Sequence, residues 1–326
     1  MKKILSLSLI IVIAVLSMGF SNKLPLPEEG VYPLKLRTLT YFDLASKEFS
    51  LGSNLAEVME AKPDYLTVHI DNQLTAIQYG FFKLGNHDQK VWFCFGKNPA
   101  NGQIEFYIDQ NADNQLVSKE KVESMETFNQ KSSGFTIEGH ISLIPVGISV
   151  SYRGINNDYL KKLFFFISLE YLTKKGNTDL RVEAVTASFL EGEMTVLAGK
   201  TEKQMKIRLM DINGNGCFND YGKDLIYIDI NADEYFRKRE SQPITEFYDF
   251  PGTNANRQKR QLRMIVLPMP AKIAVVGATA DFDRSSLEPA SDPAVANDAA
   301  TNETAVAPNL KPTVQTDSVP AASPQK

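Results

Sequence analysis

The sequence predicts a mainly β protein of antiparallel sheets in a β-sandwich-like arrangement of one or two domains. Between about Leu24 and Phe282, the apolar residues form short runs rich in β-branched and aromatic types. Several runs alternate apolar and polar residues, and Gly, Asn, Asp or Pro separates them. This pattern is typical of antiparallel strands rather than of βαβ units. Helical signals are few, so we expect only a few short helices.

Eight runs are predicted as strands: residues 65–70, 91–95, 104–108, 148–152, 163–169, 206–210, 225–228 and 262–267. Two segments carry helical signals instead. Asn54 and Glu57 resemble a capping box that opens a short helix ending before Pro63. Within residues 118–128, Val122, Met125 and Phe128 have helical spacing.

The N-terminus has the three-part pattern of a secretory signal peptide at residues 1–19. Two lysines precede a stretch at residues 4–16 that is apolar apart from two serines, and small residues precede a cut after Gly19. A cut after Ser21 and an uncleaved anchor are the alternatives. The apolar stretch is short for crossing a bilayer, which takes about 20 residues. We expect export to the periplasm, the cell surface or the medium, with no membrane span after cleavage.

The C-terminal composition predicts a disordered tail at residues 285–326. No Phe, Tyr, Trp, Ile or Met follows Phe282, and such a segment cannot bury enough apolar surface to offset the entropy of ordering it. A polar, turn-like stretch at residues 129–134 suggests a boundary between a β-rich domain at 22–130 and another at 131–282. One continuous sandwich is the alternative.

The net charge bears on which partners the protein binds, and the two cysteines bear on disulfide bonding. The formal net charge is −4, and removal of residues 1–19 takes away two lysines and no acid, which leaves −6. A mildly acidic surface argues against nucleic acid as a partner. The two cysteines, Cys94 and Cys217, are compatible with one disulfide in an oxidising compartment or with two buried thiols.

Three acidic segments share one pattern and carry the main chemical signal. We name them loop 1 (residues 109–120), loop 2 (residues 211–224) and loop 3 (residues 229–240). Each follows a strand-like run, has oxygen-bearing side chains at positions 1, 3 and 5, and has a large apolar residue at position 8. The candidate metal ligands are Asp109, Asn111, Asp113, Gln115 and Glu120 in loop 1; Asp211, Asn213, Asn215, Cys217, Asp220 and Asp224 in loop 2; and Asp229, Asn231, Asp233 and Glu240 in loop 3.

This spacing suits Ca²⁺, which takes six to eight oxygen ligands in a flexible shell. A tight loop turns alternate side chains inward, position 7 adds its carbonyl, and a carboxylate at position 12 closes the shell. The loops resemble the calcium loops of EF-hands and dockerin-type repeats, over about twelve residues each. The resemblance implies bound Ca²⁺ and does not extend to the whole chain.

The loops depart from that pattern in different ways. Loop 1 has Asn114 rather than Gly at position 6. Loop 2 has Gly222 at position 12, so Asp220 or Asp224 must supply its closing carboxylate. Loop 3 has Glu234 at position 6, and its Asp229 is alternatively a ligand of a site shared with loop 2. Asp and Asn are also favoured in hairpin turns without any metal, because their side chains bond the backbone two residues on.

The sequence favours a non-enzymatic, exported calcium-binding β protein in which Ca²⁺ is structural at the strand ends. No G-x-S-x-G, H-E-x-x-H, P-loop or G-x-G-x-x-G motif is present. One alternative is a secreted, carbohydrate-active hydrolase with a structural calcium, which would need a cleft holding two carboxylates. Another is a surface binding module or adhesin, whose partner would be a glycan or an envelope protein. Trp92 lies in an apolar run and is expected in the core.

Overall fold

The computed structural model describes residues 26–41, 51–132, 134–198, 201–229, 236–245, 248–249, 261–277 and 281–291. The predicted signal peptide and residues 292–326 lie outside the described residues. The strands are β1 (Leu26–Pro27), β2 (Gly30–Thr38), β3 (Ser53–Leu55), β4 (Glu57–Met59), β5 (Thr67–His69), β6 (Thr75–Leu84), β7 (Gln89–Lys97), β8 (Ile104–Ile108), β9 (Gln115–Val117), β10 (Met125–Ser132), β11 (Phe135–Ser142), β12 (Val146–Tyr152), β13 (Tyr159–Lys174), β14 (Asn177–Thr186), β15 (Ser188–Ala198), β16 (Thr201–Met210), β17 (Leu225–Ile228), β18 (Ser241–Pro243), β19 (Tyr248–Asp249), β20 (Gln261–Ile265) and β21 (Lys272–Gly277). Single 3₁₀ turns cover Ser118–Glu120, Lys238–Glu240 and Arg284–Leu287.

The described strands form four sheets. The largest has nine strands, in the order β18-β17-β16-β15-β2-β21-β20-β19 with β1 also on β15. A six-stranded sheet has the order β10-β11-β13-β14-β3. Its β12 pairs with the first half of the long strand β13, and β11 pairs with the second half. A four-stranded sheet, β4-β6-β7-β8, and the small pair β5-β9 complete the set. All pairs are antiparallel, as predicted, except the parallel pair β5-β9.

The predicted strands are confirmed and the predicted helices are wrong. Each of the eight runs overlaps a strand, and β8 and β17 have the predicted bounds. Residues 53–59 form β3 and β4, and the Asn54 amide donates to the carbonyl of Lys83 at 2.8 Å rather than capping a helix. The reason is tertiary: β14 and β6 offer the backbone strand partners, which overrides local preference. Residues 118–128 form one 3₁₀ turn and then enter β10.

The described strands give no division at residue 130, in contrast to the predicted boundary. That residue lies inside β10, which pairs with β11 in a hairpin. From the first predicted half, β2 pairs with β15 and β21, and β3 pairs with β14. One cluster of buried side chains also runs from Leu34 to Val275. Both halves therefore share sheets and a core, and residues 129–132 of the polar stretch belong to β10.

The predicted tail begins too early at residue 285. Residues 284–287 form a 3₁₀ turn, and Leu287 is fully buried beside Ile265 and Ala274. The carbonyl of Leu287 also accepts a hydrogen bond from the amide of Ala271 at 3.0 Å. An isolated Leu in a polar stretch can fill an apolar gap supplied by distant strands, and composition alone does not reveal that gap.

The four-stranded sheet separates two apolar clusters and so fixes where loops 1 and 2 are anchored. Along β7, Phe93 packs into the main cluster and Trp92 into a smaller one, as the alternation of strand side chains requires. Leu116 of loop 1 is buried in the smaller cluster, and Phe218 of loop 2 in the main one. Both are the large apolar residues at position 8, which therefore anchor each loop to a cluster of buried side chains.

Two further expectations concern cysteines and membranes. Cys94 and Cys217 are both buried free thiols, which decides between the two alternatives in favour of no disulfide. In the described part of the chain, no helix has the length and apolar character that a membrane crossing would require.

Candidate metal centre

Loop 1 begins where β8 ends, and its first residue organises the turn. Asp109 is fully buried. Its Oδ1 accepts a hydrogen bond from the amide of Asp113 at 3.1 Å, and its Oδ2 accepts one from the amide of Asn114 at 2.8 Å. Asp113 Oδ1 in turn accepts from the amide of Gln115 at 2.8 Å. The acidic side chains therefore fold the loop around their own oxygens.

Glu120 closes loop 1. It is 3 % exposed, although it lies in a short 3₁₀ turn near the surface. Its Oε1 accepts from the amide of Gln110 at 3.1 Å, and its Oε2 accepts from the amide of Val117 at 3.2 Å. A single carboxylate thus joins the second residue of the loop to the ninth, which brings the two loop ends together.

Loop 2 repeats this arrangement after β16. Asp211 is 1 % exposed, and its two carboxylate oxygens accept from the amides of Gly214 and Gly216, each at 2.7 Å. The Thr186 hydroxyl donates to the same carboxylate at 3.2 Å. The amide group of Asn215 donates to Asp220 Oδ2 at 2.7 Å, and that of Asn213 donates to the same oxygen. Asp220 is therefore held against positions 3 and 5 of the loop.

Asp224, not Asp220, takes the closing position of loop 2. It is fully buried, and its Oδ1 accepts from the amide of Ile212 at 3.0 Å while its Oδ2 accepts from the amide of Asp220 at 2.7 Å. The sequence left both aspartates open because position 12 is Gly222. The closing carboxylate stands at position 14, after a turn in which the amides of Lys223 and Asp224 both donate to the carbonyl of Asp220.

The backbones of the two loops match where their sequences differ. Positions 4 and 6 have positive φ in both: 63° and 60° at Ala112 and Asn114, and 68° and 82° at Gly214 and Gly216. Gly adopts this region freely and Asn tolerates it, whereas an Ala there is strained. Asn114 at position 6 of loop 1 therefore occupies the conformation that Gly216 has in loop 2.

Loop 3 is only partly described. Asp229 is 1 % exposed and follows β17, while Asn231 and Asp233 lie outside the described residues. Glu240 caps its own 3₁₀ turn, because its Oε2 accepts from the amide of Arg237 at 2.8 Å. Asp224 and Asp229 stand at opposite ends of the extended strand β17, roughly 16 Å apart at the usual rise per residue. That separation argues against the alternative in which Asp229 joins loop 2.

Burial, together with neighbouring carboxylates of the same loop, raises the pKa of the buried acids in loop 1. Burial, followed by the charge of Asp113, raises the pKa of Asp109 to about 6. Burial, followed by the charge of Asp109, raises the pKa of Glu120 to about 7.

Loop 2 behaves in the same way. Burial and the neighbouring charge of Asp224 raise the pKa of Asp211 to about 7, and burial and the charge of Asp220 raise the pKa of Asp224 to about 6. Among the described residues, no Lys or Arg forms an ion pair with Asp109, Glu120, Asp211 or Asp224. In the described residues these four carboxylates are therefore buried without a direct ion pair, and the charge of nearby Lys223 only partly offsets the raised pKa of Asp224.

The oxygen atoms of loops 1 and 2 can hold a hard cation only if side-chain amide oxygens and backbone carbonyls serve as ligands beside the carboxylates. In the described residues, no three His, Cys, Asp or Glu side chains are grouped closely enough to hold a metal ion. The amide nitrogens of Asn213 and Asn215 face Asp220, so these bonds must break and the amides must rotate before their oxygens can bind a cation. Asn111 is in the same state, because it donates to Asp113 Oδ2 at 2.9 Å.

A surface groove of about 420 Å³ is lined by Lys121 and Val122, just after loop 1, and includes two carboxylates, Glu105 and Glu123. Glu105 is 4 % exposed, and both of its oxygens are occupied. Although burial alone would raise it, hydrogen bonds lower the pKa of Glu105 to about 2. The donors are Lys121 and Asn98 to Oε1, and Asn72 and Tyr107 to Oε2. Glu105 is therefore a fixed carboxylate, so Glu105 and Glu123 do not form the pair of free carboxyl groups that glycoside hydrolysis uses.

No protein-family model, no curated protein and no solved structure matches this chain. The geometry of loops 1 and 2 is therefore the basis for a functional assignment.

Proposed function

We propose that this chain is an exported, non-enzymatic calcium-binding β protein in which loops 1 and 2 each bind Ca²⁺ as a structural ion. One observation carries the proposal: each loop buries carboxylates at its first and last positions, and no Lys or Arg of the described residues forms an ion pair with them. Buried charge is costly unless it is paired or coordinates a metal. A divalent cation that takes six to eight oxygens suits the carboxylates, amides and carbonyls of these loops. Export is supported by the signal-peptide pattern of residues 1–19.

A structural role for the ion is supported by how tightly loop 2 is enclosed. A Cβ added at Gly52 would lie 2.3 Å from the backbone of Ile212, and one added at Gly214 would lie 2.5 Å from the amide nitrogen of Asn54. The backbones of loop 2 and of residues 52–54 are therefore in direct contact. An ion bound there would join segments that are distant in sequence and would have little access to a substrate.

Calcium bound to the folded state alone would stabilise it by RT ln(1 + [Ca²⁺]/Kd). Extracellular calcium modules have dissociation constants of about 10⁻⁴ to 10⁻³ M. At a concentration 100 times the dissociation constant, one site contributes about 2.7 kcal/mol. Chelation should therefore lower the melting temperature measurably in a chain of this size.

Calorimetric titration of residues 20–326 with CaCl₂, combined with thermal unfolding in Ca²⁺ and in chelator, tests the proposal. We expect two bound ions and a higher melting temperature in Ca²⁺. The variants Asp109→Asn and Asp211→Asn should each lose one ion. Asp179→Asn, on the exposed part of β14, is the matched control and should retain both. No heat of binding, together with an unchanged melting temperature in chelator, would refute the proposal.

A further inference from the structure

Strand β12 contacts both acidic loops. The amide of Ser149 donates to the carbonyl of Gln110 in loop 1 at 2.8 Å. The buried hydroxyl of Tyr152 donates to the carbonyl of Gly216 in loop 2 at 2.5 Å. These two residues of β12 are three apart, which places the contacts about 10 Å from each other along the strand. One short strand therefore joins two loops that are about a hundred residues apart in sequence.

The turn between β6 and β7, at residues 85–88, connects the same elements by a second route. The amide of Gly85 donates to the carbonyl of Asn215 in loop 2 at 2.7 Å. The side-chain amide of Asn86 both donates to and accepts from the backbone of Arg153, at 2.9 and 2.8 Å.

Gln89, at the start of β7, reaches β12 in a similar way. Its Nε2 donates to the carbonyl of Ser149 at 3.3 Å, and its Oε1 accepts from the amide of Ser151 at 2.6 Å. The outer edge of β12 is thus occupied by hydrogen bonds to loop 1 and to Gln89, residue 86 bonds Arg153 directly after the strand, and Tyr152 reaches loop 2.

In both loops, the backbone that bonds β12 or the turn lies next to the backbone N–H groups that bond the buried carboxylates. In loop 2, the peptide between Asn215 and Gly216 donates its N–H to Asp211 and accepts at its carbonyl from Gly85. In loop 1, the N–H of Gln110 donates to Glu120 while its carbonyl accepts from Ser149. A movement of either carboxylate therefore displaces backbone that also bonds β12 or the turn, within one residue (Gln110) in loop 1 and within one peptide in loop 2.

We infer that calcium binding at loop 1 and at loop 2 is positively coupled through β12 and the turn at residues 85–88. The inference rests on the proposed function and concerns how its two sites act together. An ion that fixes the carboxylates of one loop also fixes β12, so the second ion orders less of the protein when it binds. Coupling of this kind is reciprocal and typically changes affinity about 5- to 150-fold.

The coupling factor can be measured from three calcium titrations of the mature chain. The coupling factor is the overall association constant for two ions in the wild-type protein, divided by the product of two single-site association constants. These are the constant of loop 2 in Asp109→Asn and that of loop 1 in Asp211→Asn. We expect a factor of about 5 or more. A factor of 1 with two ions bound overturns the coupling and leaves the proposed function intact, whereas no binding in the wild-type protein overturns both.

Tyr152→Phe tests the route. It keeps every candidate ligand but removes the hydroxyl that bonds Gly216. We expect two bound ions and a coupling factor at least threefold smaller than in the wild-type protein. Tyr171→Phe, on β13 between Glu138 of β11 and Leu180 of β14, should keep the wild-type factor. If Tyr152→Phe does not fold, Asn86→Ala, at an exposed side chain of the turn, replaces it under the same criterion. A wild-type factor in the route variant overturns the assignment to β12 and the turn.

Discussion

Glu120 of loop 1 and Asp224 of loop 2 occupy equivalent places in loops of different length. Each accepts a hydrogen bond from the amide of the residue that follows the first aspartate of its loop, at 3.1 Å from Gln110 and at 3.0 Å from Ile212. Loop 2 therefore reaches the same closure with a shorter acidic side chain and two additional residues. The equivalence explains why both closing carboxylates are buried beside the first aspartate of their own loop.

The first prediction concerns pH in the absence of calcium. The unfolded carboxylates titrate near pH 4, whereas the folded pKa is about 6 for Asp109 and Asp224 and about 7 for Glu120 and Asp211. Between these values the folded state binds more protons than the unfolded state, so the free energy of unfolding contributed by these groups falls as the pH rises from about 4 to about 7.

In chelator, the melting temperature should accordingly be higher near pH 5 than near pH 8. Excess Ca²⁺ binds the ionised carboxylates and should reduce or reverse this difference. Thermal unfolding across this range, with and without Ca²⁺, makes the comparison. In Asp211→Asn, which lacks one titrating group, the fall in chelator should be smaller. A calcium-free protein whose melting temperature rises steadily from pH 5 to pH 8 would contradict the assignment of raised pKa values.

The second prediction concerns Glu105, whose pKa is shifted in the opposite direction. Because the folded pKa is about 2 and the unfolded value is near 4, its contribution to stability is present above about pH 4 and is lost as the pH falls towards 2. Glu105→Gln should cost about 1–3 kcal/mol at neutral pH, since it weakens a buried set of hydrogen bonds. Urea unfolding measures the change. Glu123→Gln, exposed in the same groove, is the control and should cost less than about 0.5 kcal/mol.

Strand pattern and loop spacing follow from local sequence, and they account for the part of the fold and site that was predicted. The alternation around Phe93 identifies a strand with two buried faces, and the D-x-N-x-N spacing identifies loop 2. The sequence offers Asp220 and Asp224 as closing carboxylates and cannot choose between them, because the choice depends on a turn that inserts two residues. The contacts of Tyr152 and Gly85 with loop 2 join residues about 65 to 130 positions apart, and no periodicity in one sequence reports such pairs. The burial of Leu287 was missed for the same reason.

The third prediction concerns the end of the folded part. Leu287 is fully buried against strands β20 and β21, so Leu287→Ala should destabilise the protein by about 2–4 kcal/mol through lost burial and a residual cavity. Leu55→Ala, at a side chain that is 61 % exposed, should have little effect. Denaturant unfolding of both variants makes the comparison. Equal stabilities would show that residues 284–287 do not pack on the sheet in solution.

The fourth prediction separates backbone strain from steric contact at two glycines with positive φ. Gly85 has φ of 73° and Gly176 has φ of 84°. A Cβ at Gly176 would meet nothing within 4 Å, so Gly176→Ala should cost only the strain of the left-handed region, about 1–2 kcal/mol. A Cβ at Gly85 would lie 2.2 Å from the carbonyl oxygen of Ser151, so Gly85→Ala must also displace the turn from β12.

We expect Gly85→Ala to cost at least about 2 kcal/mol more than Gly176→Ala, because it also disrupts the hydrogen bond from Gly85 to Asn215. Urea unfolding of the two variants, measured side by side in chelator, gives this difference directly. If both variants lose the same stability, the turn does not press on β12 as closely as the structure indicates, and the second route between the loops loses its support.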